Sequence, residues 1–525
     1  MRVRISARWV RSITYIGLGI AALFPSKNWA QDTAEVAVSP DTVVFSKDTV
    51  LEVLRMDYNV LSNDSTLLPF FEELARLKNK ERGNISILHI GDSHIQGDYL
   101  SGTIRTGLQD IFGNAGRGLV FPYTVAKTYA PPDLVSNSNV VWTPKKILHH
   151  EDSVPLGVPG YAIVCTNKSF QLRMGVKNLN GHDNSFDRVC VLHGNDSTCY
   201  DLGVYTNDDF NPDGIREIGV IDCYDSSKGK WSQNTVMLDN KVNEIVIGAI
   251  QSDSQQNQTR IYGFILENST DTGILYNTSG VGAAQLVNFT RTSGFLDQAA
   301  SLHPDLVIVS LGTNESYNPY MDTLAFQRQI ENMIAGLRQR LPNVSFILTT
   351  PPDIVYKYHY PKYMDPVCRA IRRAAVSSSV AYWDLNYVMG GRGSINHWHA
   401  NQLAQNDHIH FRTTGYKLQG YMFLDAVMYS YNRFNPVLID CNYLSEYIAE
   451  NKPMYKVYAA KPAPLATGKA KVTPTKKGSK YHTVRSGETL SAIARKHGTS
   501  VDKICKLNGL KKTSIIRPGQ KIKVK

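Results

Sequence analysis

Four short, mainly apolar runs, each followed by residues at helical spacing, constrain this chain more than any other feature of it. The runs occupy residues 85–90, 306–311, 344–350 and 380–383. A stripe of Leu100, Ile104, Leu108 and Ile111 follows the first, and Phe326, Ile330, Met333, Ile334, Leu337 and Leu341 follow the second. Helical patterns near 366–376 and from about 415 to 428, the latter with Leu418, Met422 and Val427, follow the third and fourth. Another, with Phe70, Phe71, Leu74 and Leu77, precedes the first. A strand apolar along its whole length is buried on both faces, and strands alternating with helices build a parallel sheet covered on either side. The expected fold class is therefore α/β, a doubly wound parallel sheet. Such sheets collect their working residues beyond the carboxyl ends of the strands.

The alternation breaks between about 121 and 270. Short β-rich runs at 161–165, 189–192, 244–248 and 260–266 are divided there by Asn, Asp, Gly and Ser turns, the pattern of an inserted β-sandwich. Residues 451–480, rich in Lys, Ala, Pro and Thr without apolar periodicity, read as a linker. Residues 481–525 regain order as a short βααβ unit. Arg2, Arg4, Arg8 and Arg11 precede an apolar stretch at 13–24, and Ala30 precedes Gln31. Residues 1–30 thus have the form of a secretory signal peptide whose apolar part is too short to span a bilayer. The expected order is signal peptide over 1–30, α/β domain over 31–120 and 271–450, β-rich insertion over 121–270, linker over 451–480 and C-terminal unit over 481–525.

The formal charge of +11 is unevenly placed. Residues 451–525 hold 19 Lys and Arg against 2 Asp and Glu, and residues 1–30 hold 5 basic residues and no acidic one, leaving 33 basic and 44 acidic residues for 31–450. The body is acidic and the tail basic. The tail does not interleave its basic residues with aromatics on a recognisable nucleic-acid module, which argues against nucleic acid as partner. The cysteines, Cys165, Cys190, Cys199, Cys223, Cys368, Cys441 and Cys505, contain no Cys-x-x-Cys pair, so neither metal nor cofactor is expected. Export would permit disulfides among the four between 165 and 223.

Three polar blocks carry the chemistry. Gly91-Asp92-Ser93-His94 follows the first run, Gly312-Thr313-Asn314-Glu315 the second, and Asp407-His408-Ile409-His410 stands just before the last helix. A hydroxyl, an amide and an Asp-x-x-His pair are the nucleophile, oxyanion donor, orienting carboxylate and base that acyl transfer needs. Each block alone is ordinary loop or cap chemistry; their joint order points to a serine hydrolase. His408 competes with His410 as base; one alone is expected to reach Ser93, and His410 is the choice. Asp92 and Asp98 are expected in turn and helix-start roles. Trp398, between His397 and His399, suits a pocket wall and a packed core equally.

On these blocks the chain resembles the SGNH, or GDSL-type, hydrolases over roughly 60–120 and 270–435. The resemblance implies a flavodoxin-like sandwich with Ser93 as nucleophile, His410 as base, Asp407 orienting it, and Asn314 and the Ser93 N–H as oxyanion donors. His94 stands where leucine is usual, as in a cell-wall O-acetylesterase-like branch. The stretch Asn277-Thr278-Ser279-Gly280-Val281-Gly282-Ala283-Ala284 lies where the family has an Asn-Gly pair, with Ala283 at the glycine position, and Gly282 or Ala283 is the implied backbone donor. The tail resembles a LysM module, from Tyr481-His482-Thr483-Val484-Arg485-Ser486-Gly487-Glu488-Thr489-Leu490 through Ile516-Arg517-Pro518-Gly519-Gln520. That family binds N-acetylglucosamine-containing glycans, chiefly peptidoglycan, and the likeness implies Ser486, Gly487, Glu488, Thr489, Ile516 and Pro518 as glycan contacts. Ser486, Gly487 and Glu488 also read as a helix cap and first turn.

These readings combine into an exported serine esterase of the periplasm or cell envelope. It would be tethered to peptidoglycan and remove O-acetyl groups from it, with no membrane partner after signal removal. A xylan-type acetylesterase or lipase would use the same triad without needing the tether. A non-catalytic wall-binding scaffold, and acetyl transfer onto glycan, are the other readings. The insertion resembles the carbohydrate-binding sandwiches of some cell-wall acetylesterases in position and β character, and equally suits a lid.

Overall fold

A computed structural model describes residues 50–149, 156–179, 181–207, 214–435 and 437–451. In the tail it describes 481–484, 488–511, 514, 516, 517 and 519–524. The expected signal peptide and linker lie outside these residues.

The central sheet runs Ala381–Trp383, Ser345–Thr349, Leu306–Ser310, Ile85–Gly91, Ile274–Gly280 from one edge to the other, all parallel, with Leu61–Ser62 antiparallel beside Ala381–Trp383. In chain order the parallel strands lie 5-4-3-1-2. The chain therefore leaves the first strand toward one edge and the third toward the other, and these two are neighbours. Crevices at such a topological switch point are where open α/β sheets bind ligands.

The apolar runs form strands because every residue of Ile85–Gly91 and Ser345–Thr349 is buried. Alternate side chains supply two cores. Ile85, Ile87, Leu306, Ile308 and Ile347 pack with the helices Leu68–Lys78, Tyr99–Phe112 and Thr413–Phe434. Leu88, Ile90, Val307, Val309 and Leu348 pack with Thr323–Arg340 and Met364–Ser377. Asp322 caps the longer of these last two by accepting from Leu324 N and Ala325 N at 2.9 and 3.0 Å.

Between the first and second parallel strands stand two antiparallel sheets. One orders Ile215–Ile221, Asp201–Asn207, Glu244–Ile250, Gln171–Val176, Leu134–Ser138; the other orders Trp231–Val242, Phe186–Gly194, Thr259–Glu267, Tyr161–Cys165, Thr143–Lys146, with Gly118–Val120 also pairing Thr259–Glu267. Residues two apart (Val189 and Val191, Leu172 and Met174, Leu202 and Val204, Ile245 and Ile247) are fully buried in one shared core, the alternation a sandwich requires. All seven cysteines are free thiols, so the disulfides that export would permit are not formed.

A buried ion cluster ties the insertion to the α/β domain. Asp98 Oδ2 accepts from Arg105 and Arg117, each at 2.6 Å, and Arg117 also bonds Asp133. Asp98 stands at the N-cap of the Tyr99–Phe112 helix at φ +55, the helix-start place expected of it, but its side chain makes no cap bond and goes into this cluster instead. Two cations facing two carboxylates out of water need each other more than a helix end needs a cap.

The C-terminal unit pairs Tyr481–Thr483 with Lys521–Lys523 and packs helices Leu490–Lys496 and Val501–Asn508 onto them. The first helix begins one residue after Thr489, whose hydroxyl accepts from Ala492 N at 3.2 Å and caps it; of the expected cap residues, Ser486 and Gly487 lie outside the described residues. No helix among the described residues is long and apolar enough to cross a membrane.

Candidate active site

Ser93 begins the short helix Ser93–Gln96 directly beyond the first parallel strand. Gly91 allows the turn, because a Cβ there would lie 2.2 Å from Ile95 Cγ1. Asp92 caps the helix by accepting from His94 N at 3.0 Å, the turn role expected of it. Burial pushes its carboxyl up to about 6 against the pull of that bond and of the Thr313 side chain. The Ser93 N–H, first of the helix, has no acceptor among the described residues.

The loop before the Thr413–Phe434 helix brings His410 to this serine. Asp407 Oδ1 accepts from Ile409 N at 2.9 Å and His410 N at 3.0 Å, which folds the loop around the carboxylate. Its Oδ2 lies 2.7 Å from His410 Nδ1, and His410 Nε2 lies 2.9 Å from Ser93 Oγ. Burial alone would raise Asp407, but its bond to His410 and the two backbone N–H groups outweigh that and hold it at about 2. His408 turns away at φ +54, stacks on His399 with centroids 4.3 Å apart and meets Asn396 Oδ1 at 3.1 Å. His410 is the histidine that faces Ser93.

Asn314 stands beyond the third strand, entered through Gly312 at φ +125, which an L side chain rarely adopts. Its Nδ2 donates to Ala284 O at 2.9 Å and lies 3.4 Å from Asp92 Oδ2, while Tyr317 Oη donates to its Oδ1. In the second block the Gly282 N–H is taken by Gln96 Oε1 at 2.6 Å, so as the chain stands it is not an open donor. The Ala283 N–H has no acceptor among the described residues. Ala283 holds φ +66, a conformation glycine takes without cost, which is how alanine fills the glycine position.

Gln96 is a site residue the sequence did not flag. Its Nε2 donates to Tyr129 O at 2.8 Å and Thr128 Oγ1 at 3.1 Å, so one side chain joins the Ser93–Gln96 helix, the second block and the start of the insertion. Its place three residues after Ser93 was the available signal. Tyr317, likewise three after Asn314, is a second such residue. Trp398 is fully buried, with its Nε1 donating to Met389 O at 3.0 Å and its ring edge-on to Phe411. It belongs to the core and not to a pocket wall.

Glu315 fixes the second block from behind. Its Oε1 accepts from Leu286 N at 2.7 Å, at the head of the helix Leu286–Thr290. Burial, with Asp92 adding repulsion, pushes its carboxyl up to about 7. Between about pH 4.5 and 7 the folded chain then holds a proton that the unfolded chain has released, so stability falls as pH rises through that window. Glu315→Gln keeps the acceptor for Leu286 and removes the titration. Urea unfolding midpoints of this variant should vary less between pH 4.5 and 7, by an amount on the order of 2 kcal/mol; an unchanged slope would show that Glu315 is ionised throughout.

Among the implied glycan contacts of the tail, Glu488 Oε2 lies 2.6 Å from His482 Nε2 and Ile516 packs on the unit's core. Both are thus committed within the unit. Ser486, Gly487 and Pro518 lie outside the described residues.

Residues 246–418 match the model of the GDSL-like Lipase/Acylhydrolase family, and residues 482–525 match the LysM domain. The chain carries a GDSL-like lipase/acylhydrolase domain and a LysM domain. The GDSL-like match starts inside the insertion and leaves Ser93 outside it, since the insertion separates the first strand from its neighbours. A solved structure described as a peptidoglycan O-acetylesterase in action shares the fold at a TM-score of 0.59 and 20% identity, over 71% of this chain and 99% of that one. The LysM portion is similar to N-acetylmuramoyl-L-alanine amidase sle1 of Staphylococcus aureus (strain USA300), 53% identical over 47 residues, which are 9% of this chain and 14% of that protein. The Staphylococcus epidermidis counterpart is 49% identical over 55 residues, 10% and 16% of the two chains. The chain therefore spans less than a fifth of the curated relatives it matches.

Proposed function

We propose that this chain is an exported serine esterase that removes O-acetyl groups from cell-wall glycan, with peptidoglycan as its substrate. The observation that carries this is the unbroken chain of hydrogen bonds from Ser93 Oγ through His410 to Asp407, at 2.9 and 2.7 Å. The Ser93 hydroxyl gives its proton to His410 Nε2 as Oγ bonds to the acetyl carbonyl carbon. Asp407 holds the imidazole with its other nitrogen protonated and stabilises the imidazolium. The oxyanion meets the Ser93 N–H, the Ala283 N–H of the 282–283 turn and the Asn314 amide, which exchanges its 3.4 Å contact with Asp92 Oδ2 for the oxyanion. His410 returns its proton to the sugar oxygen as that leaves, and then activates the water that frees acetate from Ser93. Support for a wall glycan comes from the LysM domain, from the fold shared with a peptidoglycan O-acetylesterase and from the basic tail.

The test is acetate released from O-acetylated peptidoglycan, set against acetylated xylan. Release from xylan alone would overturn the substrate. Truncation after residue 450 should cut the rate on insoluble sacculi roughly 10-fold or more and leave p-nitrophenyl acetate hydrolysis unchanged, because the tail supplies only effective concentration. Equal rates on sacculi would remove the tether.

Asn314→Ala should lower kcat on an acetyl ester about 10²–10³-fold. It also strips Ala284 O and Tyr317 Oη of their partner, so a stability loss of about 1–3 kcal/mol is expected alongside. An unchanged kcat would take Asn314 out of the site.

A further inference from the structure

The segment after Pro351-Pro352 forms a small hairpin that supplies none of the catalytic side chains. Tyr356 and His359 pair as an antiparallel bridge, with N–H to O=C distances of 2.9 and 3.0 Å. The two residues at its tip, Lys357 and Tyr358, both take left-handed conformations, φ +48 and +66. Two successive positive φ values make a tip that asparagine and glycine form readily and bulkier residues form under strain. Yet the tip carries a tyrosine that is 97% exposed. Tyr358 has no hydrogen bond or ring partner among the described residues, so folding gains nothing visible from it.

The hairpin is fastened to the site on two sides. Val355 N donates to His408 O at 2.9 Å, inside the loop that carries Asp407 and His410. The Tyr356 ring stacks on Tyr317 at 4.3 Å and 11°, and Tyr317 Oη donates to Asn314 Oδ1. Lys357 Nζ sits 5.1 Å from the Tyr356 ring centroid, which stiffens the tip. A rigid arm anchored on both the base loop and the Asn314 partner thus holds out one unengaged aromatic ring.

Resting on the esterase reading above, we infer that the Lys357–Tyr358 tip is a glycan subsite in which the Tyr358 ring stacks on the C–H face of a pyranose in the polymer. A flat aromatic face buries that apolar side of a sugar while the hydroxyls at its rim stay solvated. The subsite therefore engages a polymer and ignores a small acyl ester.

The test compares the full chain with Tyr358→Gly and Tyr358→Ala on O-acetylated peptidoglycan and on p-nitrophenyl acetate. Both variants should lower kcat/KM on the polymer about 10-fold, through KM, and leave the small ester unchanged. Tyr358→Gly should also raise Tm, since glycine relieves the left-handed strain. Unchanged kcat/KM on the polymer, or a parallel loss on both substrates, would overturn the subsite. Loss of Ser93 dependence on both substrates in the parent chain would instead overturn the esterase reading beneath it.

Discussion

Ser93→Ala is expected to lower acetyl-ester turnover roughly 10⁴–10⁶-fold while its unfolding midpoint stays near that of the parent. Both parts follow from the same geometry. The Ser93 hydroxyl bonds His410 Nε2 at 2.9 Å, at the open end of the Ser93-His410-Asp407 chain. Its loss removes the attacking atom and leaves the oxyanion donors and substrate contacts in place. His410→Ala should cost a similar factor, and the double variant little more than either alone, because nucleophile and base act as one unit. Acetate release at constant pH measures all three. Independent, multiplying effects would mean that Ser93 and His410 serve different steps or different sites.

The largest stability effect is expected at Asp98, five residues beyond the serine. Asp98→Ala leaves Arg105 and Arg117, both nearly inaccessible to water, sharing Asp133 alone. Breaking a buried ion cluster on one side costs about 3–5 kcal/mol, chiefly as the desolvation of the stranded cation. Ser101 Oγ loses its 2.6 Å acceptor as well. Denaturant unfolding should report this loss. Adding Arg105→Leu should recover part of it, since Arg117 and Asp133 then remain as a matched pair. A double variant weaker than Asp98→Ala would assign the cost to lost packing and not to stranded charge.

The sheet was legible in the sequence where burial on both faces made strands predominantly apolar, as at Ile85–Gly91 and Leu306–Ser310. The strand Ile274–Gly280 was not, although all of it is buried. Its polar residues are satisfied by neighbours distant in sequence. Asn277 Oδ1 accepts from Leu119 N at 2.9 Å and its Nδ2 donates to Ser86 Oγ at 3.1 Å, while Ser279 Oγ donates to Val158 O. No periodicity announces a strand whose burial depends on an insertion folding over it. Spacing likewise brought Ser93, Asn314, Asp407 and His410 to notice. What spacing lacked was direction: which of His408 and His410 turns inward, that Gln96 occupies the Gly282 N–H, and that Trp398 lies in the core.

The placement of the first strand has a consequence for how the molecule assembles. Ile85–Gly91 is wholly buried and needs a neighbour on each edge, but one neighbour pairs Leu306 with Ile87, about 220 residues later in the chain. At ordinary synthesis rates that is a wait of roughly 10–40 s. The sandwich, built from nearby antiparallel pairs, can close in the meantime. The nascent polypeptide therefore carries an unsatisfied, sticky edge past a finished domain, and competence for chemistry comes last. Holdase protection of this interval, or aggregation without it, is the expected price of splitting one sheet around another.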